Sequence, residues 1–138
     1  MNPRREGRTQ ACDQRDASTR LSSAKKFLEV AHLVEGEDEP AFRSVAASLA
    51  VLAGIAASDA ACCSALGRRP RGDDHHDAEA LLESITPGGR EAAVALHRLV
   101  DLKDKAQYGI VLASRDDLKV AMKQAERLVD FAAQVLRR

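Results

Sequence analysis

Four stretches of this sequence carry side chains that could do chemistry. The densest is Asp73-Asp74-His75-His76-Asp77, which offers carboxylates and imidazoles within one turn of chain. As metal ligands they are poorly placed, because adjacent residues at a helix start point in different directions and no second ligand cluster answers them. Capping is the simpler expectation, with Asp73 or Asp74 bonding the first free N–H groups of a helix. Glu29-x-x-His32 is half of a di-iron helical pattern, which needs a second Glu-x-x-His and two more glutamates. Val94 precedes His97 by three and Gly72 precedes His75 by three, so no second copy exists. The adjacent Cys62-Cys63 lacks the second pair that zinc would want. No metal and no cofactor are therefore expected.

The fourth stretch is Leu102-Lys103-Asp104-Lys105-Ala106-Gln107-Tyr108-Gly109. Lys103 follows Leu99 by four and Val100 by three, so it flanks an apolar helical stripe. Its ammonium must snorkel to water, pair with an acid such as Asp59, or face a cleft. Gln107 shares that face one turn on. Tyr108 lies about 140° round an ideal helix from Lys103, so it addresses the same cleft only if the helix ends there.

Composition sets the frame that must hold these groups. Hydrophobic residues are 45% of the 138, but aromatics only 3% with no Trp. Alanine and leucine must then do the packing, which favours helix and leaves a β-sandwich or barrel without its usual residues. Lys+Arg and Asp+Glu each total 21, and this balance argues against a dedicated duplex-DNA binder. Basic residues nevertheless cluster at Arg4, Arg5 and Arg8 and again at Arg68, Arg69 and Arg71. Three cysteines, an odd number, imply no disulfide framework. With no signal peptide visible, a cytoplasmic protein is expected.

An amphipathic period places five helices. Residues 1–12 have none and are expected to be a disordered basic tail, leaving 13–138 as one bundle domain. Ala17, Leu21, Ala24, Leu28, Ala31 and Val34 mark a first helix from about Asp13 to Glu35, with Gly36 as a left-handed cap. A second runs from Pro40 to Leu66. Its stretch from Ser44 to Ser58 carries no charge, so other helices should surround it; at fifteen residues that stretch is short of the roughly 20 a membrane span needs. Gly67–Gly72 reads as a basic loop. A short third helix covers about His75–Ser84 with Leu81, Leu82 and Ile85 inward, and Thr86-Pro87-Gly88-Gly89 breaks the chain. The fourth helix spans about Arg90–Tyr108. The fifth opens at Ser114-x-x-Asp117, a variant capping box, and shows the cleanest stripe, Leu118 to Leu136. Short connections make this an all-α, compact up-down bundle of about five helices, four long and one short.

From Ala41 onward the chain resembles the HEPN superfamily, helical bundles that often act as metal-independent RNases or as partners of nucleotidyltransferases. The resemblance rests on the small-residue helix with Asp59, on Gly67…Gly72-x-x-His75, and on the late helix ending Lys103-Asp104-x-x-x-Tyr108-Gly109. The family's catalytic pattern is an Arg, a polar residue, then a His four to six positions on. Here Lys103 stands for the Arg, Asp104 is the polar neighbour, and Tyr108 comes where the His is due. Lysine lacks the planar fork with which arginine grips phosphate, and tyrosine titrates near 10 rather than near neutrality.

The resemblance with these departures implies a non-catalytic HEPN-like domain, a homodimer that binds a protein partner, a nucleotide or RNA, and no membrane. A toxin–antitoxin RNase is the alternative, using Lys103, Asp104, Tyr108 and His75 as catalytic groups. In either case Arg68, Arg69 and Arg71 would meet nucleic acid, and Asp59 and Gln107 would support the site. A plain helical interaction protein is the remaining expectation.

Overall fold

The computed structural model describes residues 8–72, 75–107 and 112–138. Local sequence signals account for most of its elements. Helix α1 (Gln14–Val34) starts at Asp13, whose side chain accepts from the Asp16 N–H while the Asp16 carboxylate accepts from the Asp13 N–H, a reciprocal cap. Helix α2 (Pro40–Leu66) takes Pro40 in its first turn, where a missing N–H costs nothing, and ends on Gly67 at φ 71°. Helix α3 (His75–Glu83) is short. Helix α4 (Gly89–Gln107) follows a break containing a cis Thr86–Pro87 bond and Gly88 at φ 97°. Helix α5 (Arg115–Leu136) begins with the Ser114/Asp117 capping box.

The all-α bundle expected from composition is what the chain forms. α1 runs antiparallel to α2, as Gln14 against Ser64 and Arg20 against Asp59 show. α2 lies at the centre, packed against α1, α3, α4 and α5. Leu82, Leu96, Leu99 and Leu128 from the other helices, with Val51 of α2 itself, are among the largest fully buried side chains.

Several expectations need correcting. The first helix ends without a left-handed residue, since Glu35 caps it in the right-handed region; the left-handed cap belongs to Gly67. The second helix is not enclosed all round. Its alanines, from Ala46 to Ala61, are buried, whereas Val45 is 47% and Leu52 38% exposed. Small side chains let neighbouring backbones approach closely, so the alanine face wins the centre and the bulkier residues are turned outward. Gly54 is the tightest such point: a Cβ there would collide with Leu99 and lie 3.1 Å from Leu128 Cδ1. By length and composition alone α2 is long and apolar enough to cross a membrane, but 67% of that apolar window is buried inside the protein, as in a core helix.

Of the expected tail, residues 1–7 lie outside the described residues, while Thr9–Ala11 and part of the basic loop take up regular structure. Thr9–Ala11 (β1) pairs antiparallel with Arg68–Pro70 (β2), in the register Thr9↔Pro70 and Ala11↔Arg68. Bonds from Cys12 N–H to the Gly67 carbonyl and from Arg71 N–H to the Arg8 carbonyl extend the pairing at either end. A Cys12–Cys63 disulfide then ties β1 to the end of α2. The expectation that no cysteines pair is thus overturned, because the ribbon brings two distant positions to a Cα separation of 5.3 Å.

Candidate functional site

Three helices and the ribbon line a half-open cavity of about 270 Å3. The last turns of α2 contribute Ser58 and Asp59, with Ile55 a turn earlier. β2 and the residues after it contribute Arg69 and Arg71. α3 brings His75, α4 brings Lys103, and β1 adds Gln10 at the rim. Two of its walls, Ile55 with Ala78 and Leu96, are apolar, so charges inside are screened less than on open surface.

Asp59 is the anchor. Its Oδ2 accepts from Arg20 Nε at 3.2 Å, Arg20 Nη2 at 3.0 Å and Arg69 Nη1 at 3.2 Å. The residue is 8% exposed, and so enclosed a carboxylate has to be paired. Of the alternatives open to Lys103 in the sequence, a pair with Asp59 is not among the described contacts. Two guanidiniums converge on Asp59 from α1 and β2, so Lys103 is left to another partner. Its Nζ meets His75 Nε2 at 3.3 Å. An ammonium has only protons to offer, so Lys103 donates and His75 accepts through Nε2, which selects the tautomer with its proton on Nδ1.

The residues singled out from sequence are thus partly assembled. Lys103, His75, Asp59, Arg69 and Arg71 share one cavity. Arg68 is exposed on β2 and does not line it. Asp104 and Gln107 are in α4, but their side chains lie outside the described residues, as do Tyr108, Asp73 and Asp74. Three members were missed: Arg20, Ser58 and Gln10. Arg20 sits beside the Ala17–Leu21–Ala24 stripe, so a flanking cation was legible there, but its acid is 39 residues away. Nothing local marks Ser58 or Gln10.

The side chains of the other candidate chemistries are engaged in contacts with neighbouring polar side chains. His32 meets Glu35 at 3.0 Å and Glu126 at 3.2 Å, stapling α1 to α5. Glu29 pairs with Lys26, and His97 meets Glu79 at 3.0 Å. Among the described residues no three His, Cys, Asp or Glu side chains are grouped to hold a metal.

Cys62 is free and fully buried next to the disulfide. Burial, with the Asp59 charge adding to it, pushes the thiol from 9.0 up to about 12. Since the thiolate is the nucleophile, this sulfur should be inert at neutral pH. Native protein at pH 8 is expected to resist iodoacetamide and denatured protein to react at Cys62; fast labelling of the native form would contradict this. Between about pH 9 and pH 12 the unfolded chain gives up the Cys62 proton while the folded chain keeps it. Stability therefore falls as pH rises through that window, and below it this group has no effect.

No protein-family model matches the chain, and no curated protein matches it.

Proposed function

We propose that this chain is a non-catalytic, HEPN-like helical module that binds a phosphate-bearing nucleotide or RNA in the cavity lined by Lys103. The supporting observation is the contact of Lys103 with His75 at 3.3 Å in a cavity that Arg69 and Arg71 also line. Of the ammonium's three donors only one goes to His75, and Arg69 spends one on Asp59. Among the described residues each therefore has protons left for phosphate oxygens, and charge-assisted bonds of that kind are about twice as strong as neutral ones.

Binding without cleavage follows from the imidazole. A general base needs a lone pair facing the proton it removes, and the Nε2 lone pair of His75 is taken up by Lys103. A homodimer and a nucleotidyltransferase or other protein partner belong to the same reading; light scattering of the purified chain tests the first.

The test is a titration of the full chain with 5′-AMP and a short oligoribonucleotide at low salt. Lys103→Met is expected to weaken binding at least about tenfold, the cost of roughly 1.4 kcal/mol, with little change in melting temperature. Equal affinity in wild type and variant would defeat the reading. A metal-independent RNase is the second reading, favoured by the same Lys103–His75 contact if the imidazole is released on substrate binding. RNA cleavage abolished by both Lys103→Ala and His75→Ala would replace the first reading with this one.

A further inference from the structure

The cavity has a second pole that phosphate binding does not use. Ser58 lines it and is 3% exposed. Its Oγ is sealed from solvent and finds no hydrogen-bond partner among the described residues. Buried hydroxyls are nearly always paired, and a serine within a helix ordinarily bonds back to a carbonyl one turn earlier. Ser58 does neither.

The next residue has acceptor capacity to spare. All three guanidinium contacts to Asp59 fall on Oδ2, and Oδ1 receives none of them. An ionised carboxylate can accept about four hydrogen bonds over its two oxygens, so among the described residues Oδ1 keeps room for a donor.

We propose that Ser58 Oγ and Asp59 Oδ1 form an acceptor pole that reads the hydroxyl groups of a sugar phosphate, so that the cavity takes a ribose-phosphate unit in preference to bare phosphate. This rests on the reading above, in which Lys103 holds the phosphate in a cavity that Arg69 and Arg71 also line. The two poles orient the ligand. The Asp59 charge repels the phosphate from its own end and attracts donors there, while the cations do the reverse. Size agrees: set against about 30 Å3 for one water in the liquid, a cavity of about 270 Å3 is left mostly unfilled by a phosphate alone.

Calorimetric titration of the full chain with inorganic phosphate, ribose 5-phosphate and 5′-AMP tests this. Both sugar esters are expected to bind at least about tenfold more tightly than phosphate. Ser58→Ala is expected to remove about fivefold of that margin, to leave phosphate affinity unchanged, and to raise the melting temperature, because it deletes an unpaired buried hydroxyl. Gain in stability with loss of affinity is a combination that a packing defect does not produce. Asp59→Asn should narrow the same margin. If ribose 5-phosphate binds no better than phosphate, or if Ser58→Ala weakens both alike, the acceptor pole is wrong and phosphate binding stands. If AMP alone exceeds phosphate, the sugar is not what is read and the proposal fails. Binding of none of the three would overturn the phosphate reading as well.

Discussion

Reduction of the Cys12–Cys63 disulfide is expected to lower the stability of this protein by roughly 4 kcal/mol, from the loop entropy that a bridge across a separation of 51 residues removes from the unfolded chain. For a domain of this size the melting temperature should drop by on the order of 10–15 °C. What holds the first strand without the bridge is slight: a three-residue ladder to β2, flanking backbone bonds, and the paired side chains of Gln14 and Ser64. Cys62 cannot take over as partner, because it is sealed in the core with its proton firmly held. Melting curves with and without a phosphine reductant, alongside Cys12→Ser, provide the measurement. Curves that coincide for all three samples would show that the ribbon and its bridge contribute nothing to folding.

The second large effect is expected where α2, α4 and α5 cross. Leu99 is fully enclosed and its Cδ1 occupies the space a Cβ on Gly54 would need. Leu99→Ala should cost about 2–5 kcal/mol, the transfer free energy of the lost methyls plus the cavity left behind. Gly54→Ala should destabilise too, although alanine is the better helix former by up to about 1 kcal/mol; overpacking of about 1–3 kcal/mol outweighs that gain. In a Leu99→Ala background the sign should reverse, because the new methyl enters space the leucine has vacated. A double-mutant cycle by urea denaturation reads this coupling. Costs that add to within about 0.5 kcal/mol would mean that the two residues do not compete for the same volume.

Those two effects belong to different kinds of information. The ends of α2 were legible because Pro40 and Gly67 act locally: one lacks an N–H where none is needed, the other accepts a left-handed φ. Ser114 and Asp117 marked the start of α5 in the same way, and Leu118 to Val135 showed which side of it is buried. No such signal existed along α2 itself. With no charge between Ser44 and Ser58, periodicity could not distinguish its faces, and the alanine side rather than the side with Val45 and Leu52 went inward. β1 was illegible for a related reason. Three residues have no period, and Thr9–Ala11 become a strand only because Arg68–Pro70 lies beside them.

The candidate site divides along the same line. Lys103, His75, Asp59 and the arginines after Gly67 could be picked out as charged or titratable groups at helix ends and beside apolar stripes. Their pairing could not. Asp59 lies 10 residues from Arg69 and 39 from Arg20, while Lys103 lies 28 from His75. At such distances the contact depends on how the helices pack.

What the amino-acid order determined by itself was therefore a set of five helices, the ends of α2 and the start of α5, and, for the amphipathic ones, their inward faces. Each depends on neighbours within about one turn, where φ/ψ preference and 3.6-residue spacing act directly. Tertiary packing decided which acid met which base, which cysteine found a partner, and that Ser58 would be buried with no partner for its hydroxyl among the described residues. Those outcomes depend on the close approach of alanine-lined backbones and on a ribbon that exists only once both of its strands are in place.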